Sequence, residues 1–154
     1  MISFRTVEDK DYQFIETLYR STREPELSAT NWSEDQKQQF VIMQSVAQLD
    51  EYNRRFPGAE HKIILFNKKL VGRLFIWESA ESIRIVDISL LSEFRNKGIG
   101  GKVVADIIQL ATQKRKTVTL SVLQNNPAKR FYERLGFKTV GTDSTRDQME
   151  YRSI

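Results

Sequence analysis

The chain has 154 residues, 40% hydrophobic and 29% charged, with 24 Lys+Arg against 20 Asp+Glu for a formal net charge of +4. That composition belongs to a folded domain with a real core rather than to a disordered segment; no apolar run approaches the roughly 20 residues of a membrane span, and "MISFRTVEDKD" lacks the order of a secretory leader. The absence of cysteine and the presence of a single histidine, His61, exclude disulfides, thiolate metal sites and any covalent acyl-cysteine route, and leave no metal site to expect.

In chain order, "ISFRTV" (2–7) alternates apolar and polar residues as a half-buried strand does. Phe14, Ile15, Leu18 and Tyr19 then lie on one face of a helix. Pro25 is expected to interrupt any helix in the turn-rich "STREPELSATNWSEDQ". Ser33 followed by Gln36 is a capping box opening a longer helix, with Phe40, Met43, Val46 and Ala47 on a shared face. His61, just before a strand-like run, is expected at the surface or in a turn. "HKIILF" and "LVGRLFIW" are separated by Asn67-Lys68-Lys69 and predict a hairpin. "SAES" turns the chain into "IRIVDISLL" (83–91). After a glycine cluster, Val103, Val104, Ile107, Ile108 and Ala111 make a helical stripe ending on Lys114, Arg115 and Lys116, which favour the negative end of its dipole. "TVTLSV" is a strand, Pro127 starts a short helix, and Gly136 caps it. "FKTVGT" and "DQMEYR" close the order as a pair of strands. A meander leading into a strand–helix–strand unit implies a mixed sheet with helices packed on it, in a single domain over 1–154.

The stretch "EFRNKGIGGKVV" (93–104) carries the chemistry. A glycine inside a helix costs roughly 0.5–1 kcal/mol relative to alanine, so three at a helix start need a reason. There the first backbone N–H groups lack intrahelical partners and the dipole is positive, which makes a ready anion site. Gly98 and Gly100 remove side chains from that approach, and Arg95 and Lys97 add positive charge. A tight strand-to-helix turn would call for the same glycines. A Walker A loop is excluded by Asn96 and Val103, and the dinucleotide fingerprint fails at Val103.

Arg95-Asn96-Lys97-Gly98-Ile99-Gly100 resembles the Arg/Gln-x-x-Gly-x-Gly/Ala signature of the GNAT N-acetyltransferase superfamily. "NNPAKRFYERLGF" (125–137) is similar to that family's later motif, with Asn125, Ala128, Phe131, Tyr132, Gly136 and Phe137 in place. Ser92 departs from it, standing where the family often has proline. The resemblance implies an α/β (α+β) fold: a mixed, mostly antiparallel sheet of six or seven strands flanked by about four helices. It also implies an acetyl-coenzyme A cosubstrate, with a diphosphate gripped by the backbone of Arg95, Asn96, Lys97, Gly98, Ile99, Gly100 and Gly101. A main-chain N–H at Leu90 or Leu91 would polarise the acetyl carbonyl. The strands before and after the glycine loop usually splay in that family. Asn125 and Ala128 would stand near the pantetheine arm, and Lys129 or Arg130 would meet an outer phosphate.

Direct transfer then needs a neutral amine, a polarised carbonyl and a proton for the leaving thiolate. With no cysteine, attack within a ternary complex is the consistent route. The resemblance makes Tyr132 the general acid, its phenol protonated at neutral pH with an ordinary pKa of about 10; it reads equally as a core tyrosine beside Ala128, Phe131 and Leu135. Asp87, a charge in an apolar strand, is either the base or a structural hydrogen-bond partner. Glu24, Glu26, Trp32, Met43 and Gln44 are candidates to line the acceptor site, although Trp32 also reads as a hydrophobic staple before Ser33. The acceptor is expected to be a small-molecule or peptide amine, with no nucleic acid or membrane partner, in the cytoplasm. A non-catalytic acyl-coenzyme A sensor is the alternative. The sequence does not disclose the oligomeric state.

Overall fold

A computed structural model describes residues 1–152. Its strands are β1 (Ile2–Thr6), β2 (Glu60–Phe66), β3 (Lys69–Glu78), β4 (Ser82–Leu90), β5 (Thr117–Leu123), β6 (Lys138–Thr142) and β7 (Arg146–Tyr151). Its helices are α1 (Tyr12–Ser28), α2 (Glu34–Arg55), α3 (Ile99–Gln113) and α4 (Ala128–Arg134). The strands form one sheet in the order β1-β2-β3-β4-β5-β7-β6, flanked by the four helices. It is mostly antiparallel, with β4 and β5 running parallel. This is the mixed sheet expected from the order of elements.

The chain groups into two compact units, one of Met1–Phe75 with Asp87–Arg95 and one of Ile76–Val86 with Asn96 onward. In the first, β1 pairs antiparallel with β2, from Ile2 opposite Phe66 to Thr6 opposite Lys62. The β2–β3 turn places Asn67 and Lys68 at φ 49° and 69°, the two left-handed residues that a two-residue hairpin turn requires. Val71 through Phe75 are all buried, as a strand covered on both faces should be. The Ser33 capping box forms as predicted: the Gln36 N–H donates to Ser33 Oγ at 3.2 Å and the Ser33 N–H to Gln36 Oε1 at 2.8 Å.

Two expectations need correction in this unit. Pro25 does not interrupt the first helix, which runs through it to Ser28. Proline removes one N–H but its φ suits a helix, and the last turn is held by Leu27, 2% exposed and clustered with Tyr19 and Val41. The buried positions of α2 are Val41 and Ser45, whereas Met43 and Val46 are more than half exposed. The apolar count pointed to the wrong face, because the inward face of α2 is partly polar.

A half-buried ion pair ties β1 to the turn that follows it. The Arg5 guanidinium donates to both carboxylate oxygens of Asp11 at 2.7 and 2.8 Å, and the Glu8 N–H donates to Asp11 at 2.8 Å. The hydrogen bonds from Arg5 hold the Asp11 carboxyl at a pKa of about 2.

In the second unit, β5 alternates, burying Val118, Leu120 and Val122, and pairs antiparallel with β7 from Val118 opposite Tyr151 to Leu123 opposite Arg146. The predicted α3 stripe buries Val103, Val104, Ile107 and Ala111. Helix α4 closes with a Schellman pattern: the Phe137 N–H reaches the Tyr132 carbonyl at 3.1 Å, the Gly136 N–H reaches that of Glu133 at 3.0 Å, and Gly136 takes φ 102°.

Asp11→Ala leaves the Arg5 guanidinium and the Glu8 N–H without their acceptor. A partner lost from a buried bond costs about 1–3 kcal/mol, so thermal denaturation should show a melting temperature lower by about 3–10 °C. An unchanged melting temperature would mean that water replaces the pair without loss.

Candidate functional site

The glycine turn belongs to the second unit. Asn96 and Gly98 both take left-handed backbone, at φ 58° and 82°. A Cβ at Gly98 would meet nothing within 4 Å, so conformation rather than room requires glycine there. Gly98 is the N-cap of α3, and no side chain caps that end. The Gly98 carbonyl accepts the Lys102 N–H at 3.0 Å. Buried Ile99 anchors the turn, and no acidic residue occupies the first helical turn. The first amides of α3, at Ile99, Gly100 and Gly101, therefore form a positive helix end without a side-chain acceptor of its own.

The second motif stands after β5. Asn126 caps α4, its Oδ1 accepting the Ala128 N–H at 2.9 Å; Pro127 follows it at the position where a missing N–H costs nothing. Asn125, Lys129 and Arg130 line a surface cavity of about 450 Å³ together with Gln124, Asn126 and Glu133. The Lys129 ammonium is committed elsewhere: it donates to Asp147 Oδ2 at 2.6 Å, while Thr142 donates to the other oxygen at 2.9 Å. That bond raises the Lys129 pKa and lowers that of Asp147. Arg130 is exposed in the same cavity. Tyr132 is 7% exposed, with ring centroids 5.1 Å from Phe131 and 5.5 Å from Phe137. It is therefore a core tyrosine by packing.

The remaining candidates lie in the first unit. The Leu91 N–H donates to the Val71 carbonyl at 2.8 Å. Because successive amides of a strand point to opposite edges, the Leu90 N–H points away from β3. Arg95 folds back onto this end, its Nε donating to the Leu90 carbonyl at 2.9 Å and its Nη2 to Ser21 at 3.4 Å. Asp87 is the counter-ion of Arg73, whose side chain is 3% exposed. Arg73 Nε and Nη2 both reach Asp87 Oδ2, at 3.0 and 2.6 Å. Ser89 donates to Oδ1 at 3.0 Å, and Arg73 Nη2 also donates to Gln48 of α2. Arg73 and Gln48 escaped sequence reasoning. The available signal was a lone arginine in "LVGRLFIW" matched by a lone aspartate in the following apolar strand.

His61, expected at the surface or in a turn, lies within β2, half-buried. Its ring packs 4.8 Å from Phe75, and its Nε2 is buried with no partner in the protein, as is Arg73 Nη1. Burial first, and then the positive charge of Arg73, lower its pKa to about 4. Of the candidate acceptor residues, Trp32 and Met43 line one groove of about 410 Å³ with Gln36, Gln39 and Phe40. Glu24 and Glu26 lie 3.7 and 3.8 Å from Arg20 and Arg23, and Arg20 is also paired with Glu34. Gln44 is half-buried on α2.

A family model described as an acetyltransferase (GNAT) domain matches residues 28–151. The chain belongs to the GNAT acetyltransferase family. The matched span contains every candidate residue of the glycine turn, of the β4 end and of α4. Among solved structures, the fold resembles PaiA N-acetyltransferase from Thermoplasma acidophilum in complex with coenzyme A, at TM-score 0.72 and 19% identity over 99% of each chain. It also resembles an acetyltransferase from Thermus thermophilus, at TM-score 0.71 and 16% identity over 99% of this chain and 97% of that one. A GNAT family acetyltransferase from Elizabethkingia anophelis with acetyl-CoA bound matches at TM-score 0.64 and 14% identity over 99% and 98%. No curated protein matches the chain. Among the described residues of this GNAT acetyltransferase, no helix is long and apolar enough to cross a membrane.

The depressed His61 pKa makes stability pH-dependent in a defined window. The unfolded histidine titrates near 6.5 and the folded one near 4, so between these values the unfolded chain binds more protons and stability rises with pH. Melting temperatures should therefore fall as pH is lowered from about 6.5 toward 4, above the range in which Asp11 titrates. His61→Gln should flatten this slope, and an unaltered slope would locate the acid sensitivity elsewhere.

Proposed function

We propose that residues 1–154 act as one acetyl-coenzyme A-dependent N-acetyltransferase domain that transfers acetyl directly from the thioester to a primary amine. The observation that carries this reading is the first turn of α3: left-handed Asn96 and Gly98 lead into a helix start with no side-chain cap and no acidic residue, inside the GNAT-matched span. Such an end suits a diphosphate. The coenzyme A and acetyl-CoA bound to the structural relatives support the same cosubstrate.

In this reading the amides of Ile99, Gly100 and Gly101 hold the diphosphate, with Asn96 and Lys97 at its approach. Asn125 and Ala128 stand beside the pantetheine arm, and Arg130 meets an outer phosphate. Lys129 contributes its stem to the cavity wall, since its ammonium is tied to Asp147. The Leu90 N–H, rather than that of Leu91, polarises the thioester carbonyl, because Leu91 already donates to Val71. Arg95 acts by holding the Leu90 carbonyl. As the amine attacks, negative charge develops on the carbonyl oxygen and then on sulfur. A fixed N–H favours the first and a proton from the Tyr132 phenol the second. The incoming amine arrives neutral and after attack loses one proton to solvent water, which returns a proton to the Tyr132 phenolate, so the transfer balances. Asp87, whose oxygens are engaged by Arg73 and Ser89, serves as a counter-ion in preference to accepting that proton. The acceptor is a small-molecule or peptide amine, and the protein works in the cytoplasm.

An acceptor panel read by release of free coenzyme A, paired with thermal-shift titration of acetyl-coenzyme A, tests the reading. Stabilisation together with release is expected; stabilisation with no release for any amine would point to a sensor. Tyr132→Phe should lower turnover by about 10²-fold or more, the scale of one general acid, while leaving acetyl-coenzyme A affinity similar. Undiminished turnover removes Tyr132 from the role. Asp87→Asn should leave the shape of the pH–rate profile unchanged while lowering stability, and loss of its acidic limb would restore Asp87 as the base.

A further inference from the structure

Three consecutive residues of β3 each make a different contact with the last residues of β4, all within the first unit. The Val71 carbonyl accepts the Leu91 N–H at 2.8 Å. Gly72 is buried, and a Cβ built on it would lie 2.2 Å from the Ser89 carbonyl oxygen, 2.8 Å from Leu90 Cδ2 and 3.2 Å from Leu90 Cα. Arg73 grips Asp87 Oδ2 through Nε and Nη2, and Ser89 closes on Asp87 Oδ1.

Gly72 has no left-handed φ, so its backbone conformation does not call for glycine. Room does. A glycine in a strand interior weakens the strand unless another backbone approaches closely, and here that backbone is Ser89–Leu90. The three contacts fix different groups: an amide at Leu91, the peptide between Ser89 and Leu90, and the side chains of Asp87 and Ser89. The segment has little freedom left, and Leu90 lies in its middle with its N–H turned away from β3.

We propose that Gly72 and Arg73 are positioning residues for acyl transfer: with Val71 they form a mould on β3 that sets where the Leu90 N–H stands. This rests on the reading that the Leu90 N–H receives the thioester carbonyl. Neither residue touches the acyl group. Gly72 acts by leaving space and Arg73 by holding Asp87, and both act through the same short piece of β4. A side chain at 72 must push Ser89 and Leu90 outward, because the atoms it meets first include backbone. Shortening the reach of Arg73 frees the same piece at its other end.

The test separates a displaced carbonyl donor from a general loss of stability by comparing two ligands. Coenzyme A has the diphosphate and the arm but no acyl carbonyl. Its affinity should therefore be indifferent to the Leu90 amide, whereas that of acetyl-coenzyme A should depend on it. In calorimetric titrations, Gly72→Ala and Arg73→Lys should each raise the ratio of the acetyl-coenzyme A dissociation constant to that of coenzyme A by about 3–10-fold over wild type, the scale of one hydrogen bond. Turnover should fall by about 10–100-fold with little change in the KM of the amine. Gly58→Ala is the control: Gly58 has φ +81° and open space around it, so the substitution strains the backbone and should lower the melting temperature without moving the ratio. If Gly72→Ala does not fold, Arg73→Lys decides alone, since it keeps the charge and removes the fork. An unchanged ratio in folded variants, whatever their melting temperatures, would overturn the mould while leaving the N-acetyltransferase reading intact. A wild-type protein that binds neither ligand would overturn both.

Discussion

The buried pair of Arg73 and Asp87 is the constraint on which the first unit depends. A guanidinium that is 3% exposed loses several kcal/mol of hydration and is tolerable only with a close counter-ion and further hydrogen bonds. Asp87 supplies the charge, Gln48 a second acceptor, and the Tyr52 ring lies 5.9 Å from the guanidinium carbon. These partners come from β4 and α2, so one side chain of β3 dictates what two other elements present. The cost of misplacing the pair is also what makes it specific. A one-residue slip of β4 against β3 would turn Asp87 to the opposite face, leave Arg73 unpaired in the core, and be strongly disfavoured. A purely apolar interface would penalise the same slip less.

The polar inward face of α2 follows from the same fact. A helix packed over an arginine gains from carrying Gln48 where leucine would otherwise serve, and Met43 and Val46 are left exposed. His61 shows the complementary effect. Placed against Phe75 and near a fixed positive charge, it stays neutral far below its ordinary pKa. Gln48, Tyr52 and Asp87 are thus arranged around one cation, which adds to burial in keeping His61 neutral.

This explains which parts of the molecule were legible in the sequence. Features decided by local chemistry were readable: the Ser33–Gln36 box, the Asn67-Lys68 turn, the α3 stripe and the Gly136 cap each depend on a few neighbouring residues. The mixed sheet followed from the order of elements, and the family from two short motifs. Features decided at long range were not readable. Pro25 fits inside α1 because Leu27 is held in a cluster with Tyr19 of the same helix and Val41 of α2, across the intervening turn. The position of Gln48 on the inner side of α2 depends on Arg73, the burial of His61 on Phe75, and the commitment of Lys129 on Asp147, 18 residues later. Asp87 was noticed as anomalous, but its partner could be found only by pairing two anomalies on adjacent strands.

On the proposed reading, the candidate groups of the two units would solve different physical problems. A diphosphate carries charge on several oxygens and accepts hydrogen bonds over a wide range of directions, so a helix start need only present uncapped amides and exclude acids. The turn at Asn96–Gly101 would do this through its backbone conformation, with open space where a side chain of Gly98 would stand. A thioester carbonyl is a weak, neutral acceptor whose oxygen gains charge only as the reaction proceeds. A donor that serves it must already stand in place, since reorientation at that moment would be charged against the barrier. The end of β4 has the corresponding construction: backbone contact at Gly72, a bond to Val71, a gripped carboxylate at Asp87 and a held carbonyl at Leu90. Tight packing is found where the proposed weak acceptor would need a fixed angle, and open amides where the proposed strong anion would not.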